Sequence, residues 1–208
     1  MKIVIITAPM KNPGSIKPVQ YPADGNKSIE YEGEVRCPIN GILAKTLKKG
    51  DEVKIIYIME TSENSNCEQN KTTFFNELKD ITKDIGIDIS APDKVNIPFK
   101  PTKETYNTLI TELTEKIKDN AELYIDITYG SKPEILSLFC ALRFVEEFRN
   151  AIVQYIVYGK AEFNNEGTIE NPKLYDITSL YYLFKLMGTM GATDVDTATK
   201  TLKDFFAM

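Results

Sequence analysis

Apolar segments of strand length alternate with segments of helical periodicity along most of this chain. The expected strands are 2–7, 52–59, 94–99, 122–128 and 151–158, and the expected helices are 38–50, 72–85, 102–119 and 133–148. Strands that are separated by helices of this length favour parallel pairing, because parallel neighbours need a crossover connection. The sequence therefore predicts an α/β fold with a mostly parallel sheet and helices on both faces.

The pattern changes after Gly159. Residues 160–176 carry an Asn-Asn-Glu-Gly turn signal at 164–167 between two extended pieces, which predicts a C-terminal hairpin. Residues 177–190 and 194–206 are expected to be helical. We accordingly expect one α/β domain at 1–176, followed at 177–208 by two helices.

The first of these late helices has more apolar side chains than one buried stripe needs. They are Leu180, Tyr181, Leu183, Phe184 and Met187. Such a surface is expected either to pack against a partner subunit or to be buried within the same domain, and the sequence leaves both interpretations open.

Composition excludes several classes of protein. A net charge of −5 over 208 residues leaves no broad basic face, so we expect no binding of long nucleic acid. No apolar run approaches the length of a membrane span or of a secretory signal, which predicts a cytoplasmic protein without a membrane segment. The three cysteines, Cys37, Cys67 and Cys140, lack C-x-x-C spacing and are expected to be free thiols.

Histidine is absent from the chain. Its absence excludes a Ser-His-Asp triad, a Cys-His pair, a histidine-ligated metal and any ribonuclease that needs a histidine base. We expect no metal and no cofactor.

A polar turn that contains Gly130 joins the strand ending at Thr128 to a helix opened by Pro133. Helix N-termini offer unpaired N–H groups and a partial positive charge, and glycine lets a ligand approach the backbone closely. The turn also supplies polar side chains from Thr128, Tyr129, Ser131 and Lys132. We expect an anionic ligand there, and an ordinary strand-to-helix connection is the alternative interpretation.

Ligands of open α/β sheets bind at the carboxyl ends of the strands. The residues expected along that edge are Thr7, Glu60, Phe99 and Thr128. The long loop 8–28 begins at the same edge, and a loop of this length within a compact domain is usually functional or disordered.

At these residues the chain resembles a known family. The segment Ile-Asp-Ile-Thr-Tyr-Gly-Ser-Lys-Pro at 125–133 is similar to the signature turn of CARF domains, the CRISPR-associated Rossmann-fold sensors of type III defence systems. The opening Ile-Val-Ile-Ile-Thr-Ala-Pro, the helix at 38–51 and Leu-Tyr-Asp-Ile-Thr at 174–178 follow in the order of that family. The resemblance covers nearly the whole chain. It implies that 1–176 is the ligand-binding domain and that the helices at 177–208 serve dimerisation or a link to an effector.

The resemblance implies a Rossmann-like homodimer that binds a cyclic oligoadenylate across its two-fold axis, with cyclic tetra-adenylate favoured over cyclic hexa-adenylate. The ligand-binding residues it implies are Thr7, Ala8, Pro9, Met10, Glu60, Thr61, Thr128, Tyr129, Gly130, Ser131, Lys132 and Pro133. Tyr129 would stack on an adenine or pack beside it. Many family members carry a C-terminal effector domain; the chain shows none of the motifs of such a domain, and an effector could follow its C-terminus.

Two functional classes follow from the resemblance. In the favoured one the protein is a sensor that binds the cyclic nucleotide and passes a conformational change to an effector. In the other it is a metal-independent ring nuclease, in which a ribose 2′-hydroxyl attacks the adjacent phosphate while Lys132 and Ser131 stabilise the developing charge. Outside the family, a nucleotide-binding α/β protein of another kind is the remaining alternative, although the first strand lacks a G-x-G-x-x-G turn and a P-loop lysine motif.

Overall fold

The computed structural model describes residues 1–62, 65–98, 100–163 and 169–207. The strands are β1 (Lys2–Ala8), β2 (Ala23–Asp24), β3 (Glu52–Thr61), β4 (Asp88–Ile89), β5 (Asp93–Pro98), β6 (Glu122–Asp126), β7 (Ile152–Phe163) and β8 (Ile169–Asp176). The helices are α1 (Pro38–Thr46), α2 (Cys67–Thr82), α3 (Lys103–Lys116), α4 (Lys132–Phe148), α5 (Thr178–Thr189) and α6 (Val195–Phe206).

The fold contains one sheet with the strand order β2-β8-β7-β6-β1-β3-β4. Strand β5 also pairs with β3, along the part of β3 that follows its pairing with β4. Every pairing is parallel except that of β7 with β8, which is antiparallel. The predicted α/β fold with a mostly parallel sheet is therefore confirmed. The predicted C-terminal hairpin is also present as β7 and β8, and its turn signal at 164–167 lies outside the described residues.

Helices cover both faces of the sheet, as predicted. Alternate residues of β1 point to opposite sides, so that Val4 and Ile6 pack with α1 and α2, while Ile3 and Ile5 pack with α3 and α4. Each face thus has its own apolar core, and the carboxyl ends of the parallel strands meet along one edge.

Helix α2 begins five residues earlier than predicted, at Cys67 instead of residue 72. The stretch 67–71 is polar in sequence, but Cys67 and Asn70 are buried on the same side of α2 as Phe74 and Leu78. Apolar periodicity could not reveal this turn, because one of its two buried positions is an asparagine.

Several other predicted ends are wrong: α2 ends at Thr82 instead of 85, α3 at Lys116 instead of 119, and β7 at Phe163 instead of 158. The ends of α1 and β6 have visible causes. Helix α1 ends at Thr46, because Leu47 is extended and the Lys48 N–H donates to the Asp51 carboxylate at 2.7 Å in a turn. The predicted helix to Gly50, with lysines in its last turn, is therefore too long. Strand β6 ends at Asp126, because its carboxylate accepts from the Thr128 N–H at 2.8 Å and bends the chain there.

Among the apolar residues of α5, one is buried within the domain and three are more than half exposed. Tyr181 is fully buried in the core that includes α3 and α4, where its hydroxyl donates to Glu146 at 2.6 Å. Leu180, Phe184 and Met187 remain more than half exposed. The described part of α6 contains no buried residue. Among the described residues, no helix combines the length and the apolar character needed to cross a membrane.

Candidate functional site

Three adjoining depressions run along the carboxyl edge of the sheet. The hairpin-side cavity, about 320 Å³, lies between the loop after β1 and the β7–β8 hairpin; its lining includes Lys11, Lys17, Tyr21, Thr128, Tyr129, Gly130 and Tyr158. The central cavity, about 260 Å³, is lined by Thr7, Ala8, Pro9, Met10, Lys11, Glu60, Tyr129, Gly130 and Ser131. The helix-side cavity, about 210 Å³, is lined by Glu60, Pro98, Lys100, Pro101, Thr105, Tyr106, Ser131, Pro133 and Glu134.

Shared lining residues make these depressions one continuous trough. Lys11, Tyr129 and Gly130 border both the hairpin-side and the central cavity. Glu60 and Ser131 border both the central and the helix-side cavity. The turn that the sequence singled out, 128–131, therefore lies in the middle of the trough.

The turn enters α4 through a capping box. Ser131 is the N-cap, and its hydroxyl accepts from the Glu134 N–H at 3.4 Å. The Glu134 carboxylate turns back and accepts from the Ser131 N–H at 3.0 Å. Two N–H donors of the helix N-terminus, those of Ser131 and Glu134, are thus used within the protein, and the Ser131 hydroxyl oxygen serves as an acceptor.

Other amides of the turn remain available. Among the described residues, the N–H groups of Gly130 and Lys132 have no hydrogen-bond acceptor. Lys132 is the first residue of α4 and is exposed, so its positive charge belongs to the same helix N-terminus. Gly130 has a φ of 102°, which favours glycine, and an added Cβ would lie 3.1 Å from both Thr7 Oγ1 and Glu134 Oε2.

Thr128 and Asp126 hold the base of the turn. The Thr128 hydroxyl accepts from the Gly159 N–H at 2.8 Å, which ties β6 to β7. Asp126 is 1% exposed, and its carboxylate also accepts from the Ile39 N–H at 3.2 Å at the start of α1. Burial raises the pKa of Asp126. Both side chains therefore support the turn, and Thr128 also lines the hairpin-side cavity.

The loop after β1 is fixed from α2. The Asn70 amide donates to the carbonyls of Pro9 at 2.6 Å and Lys11 at 2.9 Å, and the Asn66 amide donates to the Met10 carbonyl at 3.1 Å. Three successive carbonyls are thereby turned towards α2. Sequence analysis missed both asparagines, because their partners lie more than 50 residues away in the chain.

Tyr129 packs beside the site. Its ring stacks on Phe74 with centroids 6.2 Å apart and an interplanar angle of 21°, and the residue lines the hairpin-side and central cavities. Burial raises the pKa of its hydroxyl, so the phenol is neutral at physiological pH. The packing partner that the structure shows for this ring is a core residue.

Two buried carboxyl groups meet where the central and helix-side cavities join. Glu60, at the end of β3, and Glu134, in the first turn of α4, are each 6% exposed. Burial, together with the hydrogen bond and the charge of Glu134, raises the pKa of Glu60 from 4.5 to about 8. Glu60 therefore holds a proton near neutral pH, which removes one negative charge from this part of the trough.

The structure brings most of the expected site residues to one edge. Those that line the trough are Thr7, Ala8, Pro9, Met10, Glu60, Thr128, Tyr129, Gly130, Ser131 and Pro133. Lys132 and Thr61 are exposed beside it, and the Thr61 hydroxyl donates to the Ile97 carbonyl at 3.0 Å. Phe99 lies outside the described residues.

Several residues of the trough escaped the sequence analysis. They are Lys11, Lys17, Tyr21, Tyr106, Glu134 and Tyr158. The spacing Ser131-x-x-Glu134 is a recognisable capping-box signal and could have located Glu134. Tyr21 lies in the long loop after β1 and Tyr158 lies on β7. No local sequence pattern predicts that either residue lines the trough.

All three cysteines are free, as predicted: Cys37 and Cys67 are buried and Cys140 is exposed. Among the described residues, no group of three or more histidine, cysteine, aspartate or glutamate side chains could hold a metal ion.

No protein-family model matches the chain, and no curated protein matches it in sequence.

Proposed function

We propose that this protein is a sensor that binds a cyclic oligoadenylate, cyclic tetra-adenylate in preference to cyclic hexa-adenylate, across the two-fold axis of a homodimer. Binding at the trough would be transmitted through α5 and α6 to an effector. The proposal combines the resemblance of the turn at 125–133 to CARF domains with the chemistry of the trough around that turn.

The observation that carries the proposal is the group of donors at the start of α4. The Gly130 and Lys132 amides have no acceptor among the described residues, and the Lys132 ammonium adds a positive charge beside a helix N-terminus. Such a group fits one phosphate of a nucleotide. The proton held by Glu60 reduces the negative charge nearby, which favours the approach of an anion.

The rest of the trough fits an extended ligand better than a single phosphate. Lys11 and Lys17 lie at its hairpin-side end, where the exposed Tyr158 offers aromatic surface and the buried Tyr21 forms part of the wall. Cations and aromatic rings in one groove suit a ligand with several phosphates and bases. A small cyclic oligonucleotide has both and needs no broad basic face, in keeping with the net charge of −5.

The proposed dimer uses exposed apolar side chains of two helices, here together called the helix face. They are Leu136, Phe144 and Phe148 on α4 and Leu180, Phe184 and Met187 on α5. Phe139 joins the two helices, with ring centroids 5.3 Å from Tyr181 and 6.4 Å from Phe184. Because α4 begins at the ligand-binding turn, two copies joined through this helix would couple their sites mechanically.

The second candidate is a metal-independent ring nuclease at the same site. The observation that favours it is Glu60, since a carboxyl group that holds a proton near neutrality can act as a general acid or base. Lys132 would stabilise the developing charge on the phosphate. The Ser131 hydroxyl accepts from the Glu134 N–H and keeps its own O–H as a donor. These positioned donors serve binding as well as cleavage, and binding without cleavage remains our first proposal.

One titration separates these functions. The full chain is mixed with radiolabelled cyclic tetra-adenylate or cyclic hexa-adenylate, analysed on native gels, and sampled over time on denaturing gels. Tight binding of the intact tetra-adenylate ring is the expected result, and linear products would instead establish the ring nuclease. Failure to bind either ring would refute both.

A further inference from the structure

We propose that α6 of each chain packs on the helix face of a second copy, so that two chains exchange their C-terminal helices. The inference rests on the proposed function insofar as it assumes the homodimer, and it adds which element covers the helix face. It can be tested without any ligand.

Helix α6 presents an apolar stripe along one side, here called the α6 stripe. Its members recur at helical spacing and are Val195, Ala198, Leu202, Phe205 and Phe206. The charged residues of the helix lie on the remaining surface and are Asp196, Lys200, Lys203 and Asp204. No described residue of α6 is buried, and Val195 and Phe206 are 79% and 67% exposed. The single chain therefore leaves the α6 stripe without a core to pack into.

Local interactions define where α6 begins but do not suffice to hold it. The Asp194 carboxylate caps the helix by accepting from the Thr197 N–H at 2.8 Å, and Lys200 pairs with Asp204 at 2.6 Å. Helices shorter than about 12–15 residues are marginal in water without tertiary contacts, and α6 has 12 residues. Most of its stability must therefore come from packing of the α6 stripe on another apolar surface.

The helix face is an uncovered surface of matching character. Leu136, Phe148 and Leu180 are 64%, 71% and 56% exposed although α6 belongs to the same chain, so α6 does not cover the helix face of its own chain. A second copy brings both an α6 stripe and a helix face, and each can cover the other. Such a reciprocal exchange closes a two-fold dimer.

The connection between α5 and α6 places α6 within reach of a second copy. Met187 of the helix face lies in the last turn of α5, which ends at Thr189, and residues 190–194 lead into α6. An extended linker of this length spans roughly 17 Å. An added Cβ at Gly188 or Gly191 would meet no described atom within 4 Å, so packing does not fix the direction of the chain there. Helix α6 thus starts at the proposed interface and can cross it.

Interface area favours this exchange over direct contact between two helix faces. The six side chains of the helix face offer roughly 600 Å² of exposed apolar surface, at about 100 Å² each. A stable interface buries about 800 Å² on each partner. The α6 stripe adds roughly 300 Å² more, which brings the exchanged dimer above that size.

Cross-linking tests the exchange through a cysteine of the chain itself. Cys140 is exposed on α4, four residues from both Leu136 and Phe144, whereas Cys37 and Cys67 are buried. The full chain carrying Ala198→Cys is treated with a short bismaleimide and analysed on a denaturing gel. We expect a dimer-sized product that is lost when Cys140→Ala is added.

A control variant and the wild type make this result specific. Lys200→Cys, on the charged side of α6, should give at least ten-fold less product than Ala198→Cys. A link between positions 140 and 198 within one chain, detected by mass spectrometry, would overturn the exchange, and so would the absence of any product. A dimer-sized product from the wild type, joined through Cys140 alone, would also overturn it, because the two helix faces would then meet directly.

Two adjacent glutamine variants test the α6 stripe without a reagent. Leu202→Gln should weaken dimerisation at least ten-fold in sedimentation experiments, and Lys203→Gln, on the charged side, should leave it unchanged. Glutamine suits a helix at both positions, and circular dichroism checks that both variants fold. Equal dimerisation of the two variants would contradict the proposal.

These results are separable from those that test the proposed function. Cross-linking between chains at 140 and 198 without binding of either cyclic ring would refute the sensor and leave the exchange standing. A dimer that binds a cyclic ring but cross-links only through Cys140, or only within one chain, would refute the exchange and leave the sensor standing.

Discussion

The Glu134 carboxylate folds back over Gly130 to accept a hydrogen bond from the Ser131 N–H at 3.0 Å. The Ser131 hydroxyl accepts in return from the Glu134 N–H, so the two residues close the first turn of α4. The turn that the proposed ligand would contact is therefore rigid before any ligand arrives, which lowers the entropy cost of binding.

Replacement of Gly130 tests this arrangement. Gly130→Ala should lower the free energy of unfolding, because the residue has a φ of 102° and its new Cβ would lie 3.1 Å from Thr7 Oγ1 and Glu134 Oε2. Gly25→Ala is the matched control, with a φ of 90° and no atom within 4 Å of the added Cβ. Urea denaturation should show that Gly130→Ala costs about 1 kcal/mol more than Gly25→Ala. Equal costs would mean that the turn accommodates the added Cβ without a penalty from Thr7 and Glu134.

The buried amide of Asn70 should stabilise the first loop. Asn70→Ala removes the donor to the Pro9 and Lys11 carbonyls and should cost about 2 kcal/mol in urea denaturation. Asn76→Ala, at an exposed position of the same helix, should stay within about 0.5 kcal/mol of the wild type. If the loop contributes to ligand binding, Asn70→Ala should also weaken binding of cyclic tetra-adenylate, and Asn76→Ala should not.

These two predictions show where sequence reasoning succeeded and where it could not. The alternation of apolar segments was enough to predict the sheet and the helices on both faces, because it follows local periodicity. The contacts of Asn70 with the first loop, and of Glu60 with Glu134, join segments that meet only after the sheet has formed. The capping box is readable in the sequence from the spacing Ser131-x-x-Glu134, although Ser131 is also a residue type that contacts ligands.

The carboxyl pair should make stability depend on pH. The folded protein holds the Glu60 proton up to a pKa of about 8, whereas an ordinary glutamate releases it near 4.5. Between these values the folded state binds more protons than the unfolded state, so the free energy of unfolding should fall as pH rises, by at most about 1.4 kcal/mol per pH unit. The contribution is complete below pH 4.5 and lost above pH 8.

Glu60→Gln should remove this part of the pH dependence. Denaturation of wild type and variant between pH 5.5 and 8.5 should give the wild type the steeper decline (about 1.4 kcal/mol per pH unit at most). The ionisable groups around Glu60 are present in both proteins: Glu134 on α4, the Cys67 thiol on α2, and Lys11 and Lys100 in the loops. Parallel curves for the two proteins would show that Glu60 is ionised throughout.

The proposed dimer depends on the helix face. Phe184→Glu should convert the dimer to monomer in sedimentation experiments at micromolar concentration, because the charge would be buried between two copies. Phe184 is 53% exposed in the single chain, so the substitution should leave the fold intact. Asn107→Glu adds the same charge at an exposed position of α3 and should leave the dimer unchanged. A wild-type protein that sediments as a monomer would contradict the proposal.

The most direct test of the account is the affinity of Lys132→Ala for radiolabelled cyclic tetra-adenylate. Lys49→Ala is the control, since Lys49 is an exposed lysine in the turn after α1, outside the trough. We predict tight binding by the wild type and by Lys49→Ala, with a loss of at least ten-fold in Lys132→Ala while its thermal unfolding is unchanged. Equal binding by all three proteins would contradict the proposed site, and absence of binding by the wild type would contradict the proposed function.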